Sequence, residues 1–354
     1  MAAYRLSAHM PGVPVRTFEN AQVFRAWRRT ILHSNKTVGF VPTMGALHEG
    51  HLQLVDASLQ ANDYTVVSIF VNPAQFAPHE DLSTYPRTLH HDLEQLGQRE
   101  AAANVSGSLV VLVPQVSDMY PHGITQNVDE QVGAFIEMAG LSQYMEGTTR
   151  PTFFRGVATI VTKLFNLVLP DHAYFGQKDI QQAIIIRRMV DDLLFTFPMG
   201  AERVHIVPTV RDPKDSLALS SRNKYLDTHG RQVAPLLYRA LSQGKQVWES
   251  MQAQGVPRAE RVHATLAAAQ SIVTEATALP DQVARVQLDY VSLNDPRTLQ
   301  VLSVSTASPM ESAEADSSDP GAILSGAMWV YNHANDEKPA ARLIDNVLLG
   351  FSLT

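Results

Sequence analysis

The chain of 354 residues contains no cysteine. Disulfides, thiolate zinc sites and cysteine nucleophiles are thereby excluded. A cysteine-free composition suits an intracellular protein, and the cytoplasm is the expected compartment. No apolar run is long enough to span a bilayer, so no membrane partner is expected. Basic charge is not in excess: Lys and Arg total 28 against 35 Asp and Glu, a formal net charge of −7. Nucleic acid is therefore not indicated as a partner, and any anionic substrate must be drawn by a local basic pocket. Internal repeats are also lacking. Between Met1 and Val15 the one Lys or Arg is Arg5, and Pro11 and Pro14 would break a helix. An untargeted extension over residues 1–14 is expected there rather than an organelle leader.

What is present is the composition of a soluble globular protein, 45% hydrophobic and 18% charged, long enough for about two domains. Candidate strands are Thr37–Val41, Tyr64–Val71, Leu109–Val113, His172–Phe175 and Val204–Val207. Val157, Ile160, Val161, Leu164, Phe165 and Val168 recur at the spacing of one helical face. Asp179 opens another helix running to about Leu194, its carboxylate suited to the positive end of the dipole. Alternating strands and helices argue an α/β fold with a doubly wound parallel sheet over residues 1–208. Residues 209–354 read as a smaller α+β lid domain. Its helical patterns are Asp227–Gln252 and Arg258–Thr277, and its strands Arg285–Val291, Gly326–Asn332 and Ala341–Leu349. Ser303–Ser325, without Lys or Arg, reads as a solvated loop inserted in that domain.

Four clusters carry chemistry. The first, Pro42-Thr43-Met44-Gly45-Ala46-Leu47-His48-Glu49-Gly50-His51, sits where a strand gives way to a helix beginning near Leu52. Backbone N–H groups there can meet a phosphate, and two imidazoles add donors. His-x-x-His can equally be a metal pair or surface residues. The second, Ser68 to Phe76, ends a strand in Asn72-Pro73 and presents Gln75, whose amide can donate to a carboxylate. An ordinary Asn-Pro turn would look the same. In the third, Gly176-Gln177-Lys178-Asp179-Ile180-Gln181-Gln182, glycine permits close phosphate approach and Lys178 is a point charge at a helix start. A plain capping sequence is the alternative. The fourth is Leu217-Ala218-Leu219-Ser220-Ser221-Arg222-Asn223, preceded by Val210-Arg211-Asp212; two hydroxyls and an arginine can wrap polyphosphate, or form a serine-rich turn. All four fall at loops, in the order and context of a nucleotide pocket.

These stretches, with Tyr85-Pro86-Arg87-Thr88, Glu146-Gly147-x-x-Arg150-Pro151 and Arg342-Leu343-Ile344-Asp345-Asn346, resemble the pantothenate synthetase (pantoate–β-alanine ligase) family from about Val15 to Leu349. That family belongs to the nucleotidyl transferases with a His-x-Gly-His element. The resemblance implies a Rossmann-like first domain and a two-step ligation. Pantoate attacks the α-phosphorus of ATP to give pantoyl adenylate and pyrophosphate; β-alanine then displaces AMP to give pantothenate. By position, Met44, Gly45, Ala46, Leu47, His48, Glu49, Gly50, His51, Gly176, Gln177, Lys178, Asp179, Val210, Leu219, Ser220, Ser221 and Arg222 would line the ATP site. His48, His51, Lys178 and Arg222 would be catalytic, His51 as proton donor. Gln75, Gln182 and Tyr85 would hold pantoate, Gln75 would also contact β-alanine, and Asp92 would serve the Mg²⁺ on ATP. A homodimer is also implied.

Three departures from the family pattern stand out. Thr152-Phe153-Phe154 lacks a histidine common after Arg-Pro. His90 and His91 precede Asp92 where acids or amides are common, and Ser216 replaces a glycine in a loop one residue longer. Two other functions fit part of the set: an adenylyl transferase that retains the adenylyl group, and a nucleotide-binding relative without the chemistry.

Overall fold

The computed structural model describes residues 15–78, 80–103, 108–278, 283–303, 319–333 and 335–353. The expected extension over residues 1–14, and residues 304–318 of the expected loop insertion, lie outside them. The chain divides into two compact units. One runs to Gly176 and resumes at Gln182–Pro208; the other joins Gln177–Gln181 to Thr209–Leu353.

The first unit is a six-stranded sheet in the order β1-β4-β3-β2-β5-β6, parallel at every pairing. Its strands are β1 Arg16–Phe18, β2 Val38–Thr43, β3 Tyr64–Ile69, β4 Ser108–Leu112, β5 His172–Gly176 and β6 Val204–Val207. The helices are α1 Ala21–Leu32, α2 Glu49–Ala61, α3 Leu89–Ala102, the single turns α4 Val116–Met119 and α5 Glu146–Thr149, α6 Phe153–Val168 and α7 Ile180–Asp192. Parallel strands must be buried on both faces, which is why Val38–Val41 and Thr65–Ile69 are almost wholly buried. The predicted apolar face of α6 (Val157, Ile160, Val161, Leu164, Phe165, Val168) is buried throughout. That helix stops where Leu169 turns left-handed at φ +50° ahead of Pro170. β1 has three residues, too short for a periodicity to register.

The strand order reverses direction between β2 and β5, and there the sheet is thinly joined: pairing covers only Gly39–Phe40 against His172–Ala173. Ligands of open α/β sheets sit outside the strand carboxyl ends at such a switch point. The chain leaves β2 into Met44–His51 and leaves β5 at Gly176, so two predicted clusters flank it.

The second unit contains α8 Thr228–Val233, α9 Leu236–Ala253, α10 Arg258–Thr277 and an antiparallel sheet β7-β8-β9, with β7 Val286–Asn294, β8 Ala322–Asn332 and β9 Asn335–Leu349. Its core gathers Leu237, Leu241 and Trp248 of α9 with Leu324, Met328 and Val330 of β8. Two expectations need correction. The pattern Asp227–Gln252 is two helices, divided at Pro235, which has no N–H to continue the ladder. Ala322–Ser325 are not loop: they begin β8, paired with Asn346–Leu349, and their side chains are buried. A polar average across the stretch hid the boundary.

Candidate active site

The Met44–His51 turn is built by backbone conformations that the sequence only partly advertises. Gly45 and Ala46 are both left-handed, at φ +80° and +50°. Gly45 takes this conformation freely, whereas Ala46 must be held in it. The holder is Asp92 on α3, 1% exposed. Its carboxylate accepts from Ala46 N at 3.0 Å, Leu47 N at 2.8 Å and Thr88 Oγ1 at 3.1–3.2 Å. The amides of Ala46 and Leu47 are thus committed to Asp92, one to each carboxylate oxygen. The carboxylate expected to serve Mg²⁺ anchors this loop. Among the described residues no group of three His, Asp or Glu could hold a metal ion. His90 and His91 are exposed beside Glu94.

Helix α2 starts at Glu49, three residues before the expected Leu52, because His48 caps it. The His48 Nδ1 accepts from Gly50 N at 3.1 Å, so a neutral ring carries its proton on Nε2, where it can be donated. A Cβ at position 50 would press on the His48 ring at 2.8 Å; the glycine of His-x-Gly-His makes room for the imidazole. The His51 ring lies in the first turn, its centroid 4.1 Å from that of His48. Glu49, the first residue of α2, pairs with Arg99.

Beyond β3, Asn72 caps a 3₁₀ turn Pro73–Gln75, and α6 packs so close that a Cβ on Gly156 would collide with Ala74 O. Gln75 is buried; its Oε1 accepts from Asn72 Nδ2 at 3.0 Å and its Nε2 donates to Met44 Sδ at 3.2 Å. The residue expected to hold the acid therefore touches the first residue of the expected ATP loop. Tyr85 is buried edge-on to Phe76, 5.6 Å between centroids. Arg150 pairs in bidentate fashion with Glu80 at 2.5 and 2.7 Å and also donates to Gln75 O at 3.1 Å. Where a histidine is usual, Phe153 stacks under the Arg150 guanidinium at 3.9 Å. Gly176 closes β5, and a Cβ there would meet nothing within 4 Å; the protein's own packing does not require glycine at that point. Gln182 is half-buried in the first turns of α7.

The remaining predicted residues gather in the second unit. Gln177–Asp179 form a 3₁₀ turn ahead of α7. Asn346 of β9 grips it, donating from Nδ2 to Gln177 O at 2.9 Å and Lys178 O at 3.0 Å, while Gln177 Nε2 donates to Asn346 Oδ1 at 3.2 Å. Lys178 Nζ lies 3.6 Å from Asp179. The neighbouring Asp345, buried, takes both arms of Arg211 at 2.6 and 2.9 Å. That pair pins the loop Arg211–Leu217, in which Ser216 is left-handed at φ +65°. Val210 O accepts from Leu219 N at 3.0 Å, and Ser220 Oγ caps the 3₁₀ turn Ser221–Tyr225 by accepting from Arg222 N at 3.3 Å. Asn346, Asp345, Asn72 and Arg150 lie within motifs quoted from the sequence, but nothing in their spacing reveals what they hold.

A parallel sheet with its loops at a switch point, and a histidine-capped helix leading away from it, defines the Rossmann-like class of α/β proteins. The model of the pantoate–β-alanine ligase family matches residues 16–348, and the chain belongs to that family. It is 41% identical to the pantoate–β-alanine ligase of Saccharomyces cerevisiae, over 95% of this chain and 100% of that protein. The structure of pantothenate synthetase from Thermus thermophilus superposes with a TM-score of 0.70 at 37% identity, covering 94% of this chain and 99% of that one. That of the Francisella tularensis pantoate–β-alanine ligase, complexed with beta-gamma ATP and β-alanine, does so with a TM-score of 0.63 at 27% identity, covering 96% and 99%.

Proposed function

We propose that the chain is an AMP-forming ligase that condenses pantoate with β-alanine at the expense of ATP. One observation carries the assignment of roles. Gln75 Nε2 rests on Met44 Sδ at 3.2 Å, so an acid held by that amide lies beside the turn proposed for ATP. Family membership over residues 16–348 supports the same chemistry.

The carboxylate of pantoate attacks the α-phosphorus; the bond to the β-phosphate oxygen breaks and pyrophosphate leaves. The amine of β-alanine then attacks the acyl carbon of pantoyl adenylate, loses a proton, and expels AMP. No protein residue becomes covalently attached. Reactions of this kind depend on positioning and on stabilising charge at phosphoryl oxygens. His48 is set up to donate from Nε2, and His51 is the proposed proton donor. Lys178, Ser220, Ser221 and Arg222 supply charge and donors to the phosphates, with Met44–Leu47, Glu49, Gly50, Gly176, Gln177, Asp179, Val210 and Leu219 lining ATP. The open side of Gly176 leaves room for a phosphate. Gln75, Gln182 and Tyr85 hold pantoate without an ion pair, which leaves its carboxylate nucleophilic; Gln75 also meets β-alanine. ATP enters as its magnesium complex, and a role of Asp92 toward the metal is read out by the Mg²⁺ requirement of Asp92→Asn. A homodimer in the cytoplasm is the proposed state, and sedimentation velocity checks the dimer.

The decisive assay is exchange of labelled pyrophosphate into ATP. Exchange should require pantoate, and net AMP should require β-alanine as well. Pantoate-independent exchange, or an adenylyl group retained in the product, would instead indicate a different adenylyl transferase. Binding of ATP and pantoate with no turnover would indicate a relative that has lost the chemistry.

A further inference from the structure

The Asn72–Gln75 turn carries a side-chain network whose polarity is dictated by the backbone. The Ala74 N–H can only donate, and it reaches Asn72 Oδ1 at 3.4 Å. The Gly156 carbonyl can only accept, and it takes Asn72 Nδ2 at 3.2 Å. These two groups settle which end of the Asn72 amide is oxygen and which is nitrogen. Two consequences are forced. The Tyr120 hydroxyl, 2.7 Å from Asn72 Oδ1, is the donor in that bond. Gln75 Oε1, 3.0 Å from Asn72 Nδ2, is the acceptor in the other. The Gln75 amide therefore turns its NH₂ away from Asn72, on the side where it meets Met44 Sδ.

Tyr120 is built for this duty. It is 4% exposed, and burial pushes its phenol well above the usual range, so the hydroxyl keeps its proton. The Lys163 ammonium sits 3.9 Å from the ring centroid and also donates to Met119 O at 2.7 Å, fixing the ring from one side.

We propose that Tyr120 is a positioning residue for the acid substrate: through Asn72, its hydroxyl keeps the Gln75 amide turned with NH₂ toward pantoate. A reversed amide would present Oε1 to a carboxylate, acceptor against acceptor. The inference rests on the reading that Gln75 holds pantoate. Without the tyrosine hydroxyl, Asn72 Oδ1 retains the long bond from Ala74, and the asparagine loosens its hold on Gln75.

The test compares Tyr120→Phe and Gln75→Ala with the parent full chain, measuring KM for pantoate, KM for ATP, kcat and the thermal midpoint. Tyr120→Phe should raise the pantoate KM about tenfold, the scale of one lost buried hydrogen bond, with the ATP KM unchanged. Gln75→Ala should raise the pantoate KM at least as much. If Gln75→Ala raises it and Tyr120→Phe does not, the relay is overturned and the Gln75 reading stands. If neither does, the Gln75 reading itself fails and takes the relay with it. A parallel rise in both KM values in Tyr120→Phe marks a merely structural role and also overturns the relay. Should Tyr120→Phe not fold, Lys163→Met frees the ring while sparing the hydroxyl. It should give a smaller rise confined to pantoate; its absence, with Gln75→Ala active as a control, counts against the proposal.

Discussion

Leu47 donates its backbone N–H to the Asp92 carboxylate at 2.8 Å, while Ala46 donates to the other oxygen at 3.0 Å. One buried side chain thus holds the whole turn that follows β2, including a left-handed alanine.

Asp92→Asn should loosen that turn. Whichever way the new amide lies, an NH₂ faces a backbone N–H, and bonds to a charged acceptor are lost at roughly 1.5–3 kcal/mol each. The thermal midpoint should fall and the KM for ATP rise, with the Mg²⁺ requirement unchanged. A large change in the Mg²⁺ requirement at unaltered stability would instead assign Asp92 a metal role.

Lys178→Ala and His51→Ala should each lower kcat by about 10²–10³, the scale of a lost preorganised donor, roughly 3–4 kcal/mol. Folding should be intact by circular dichroism. A loss below about threefold, well under 1 kcal/mol, removes that residue from the mechanism.

Ser216→Gly should stabilise the chain. Ser216 sits at φ +65°, a conformation costing a residue with a Cβ about 1 kcal/mol or more. Part of the gain is offset by the extra freedom of glycine in the unfolded chain, leaving about 0.5 kcal/mol. A small rise in the urea midpoint is the expected reading, and a fall would show that the serine side chain contributes more than its backbone costs.

Acid should weaken the first unit through His172 and His205. Their rings share a 2.7 Å hydrogen bond, and Arg203 reaches His172 Nε2 at 3.1 Å. Burial first, then neighbouring positive charge, holds both imidazoles below their ordinary pKa. The unfolded chain then binds more protons than the folded one as pH drops below the ordinary histidine value. The stabilising contribution is complete above about pH 6.5 and is lost as pH falls through the lowered folded values. Urea midpoints at pH 7.5 and 5.5 should differ, and His205→Gln should shrink the difference. An unchanged pH dependence in that variant would assign the acid sensitivity to other groups.

Much of the architecture was legible because buried periodicity is local. Val204–Val207 and Arg258–Thr277 occur with the bounds read from the sequence, since a strand between two faces and an amphipathic helix each write their pattern within one stretch. Errors came at punctuation. Pro235 splits an otherwise continuous helical pattern, and Ala322 opens a strand inside a stretch whose average is polar. Residue type and context also single out His48, His51, Gln75, Lys178 and Arg222 as candidates for the chemistry, and the variants above test His51, Gln75 and Lys178.

Partnership was not legible. Tyr120 and Asn72 lie 48 positions apart, and Asp92 and Ala46 lie 46 apart, distances over which no propensity or spacing carries information. From its residues alone this chain determined a cysteine-free α/β scaffold, the types of its main elements and the groups available for phosphate and carboxylate chemistry. Only the tertiary structure decided that Asp92 holds the Ala46 and Leu47 amides, that Asn346 grips the Lys178 segment, and which face the Gln75 amide presents. The reason is physical: hydrophobic patterning acts through neighbours along the chain, whereas the direction of a hydrogen bond depends on which donor and acceptor the fold brings together.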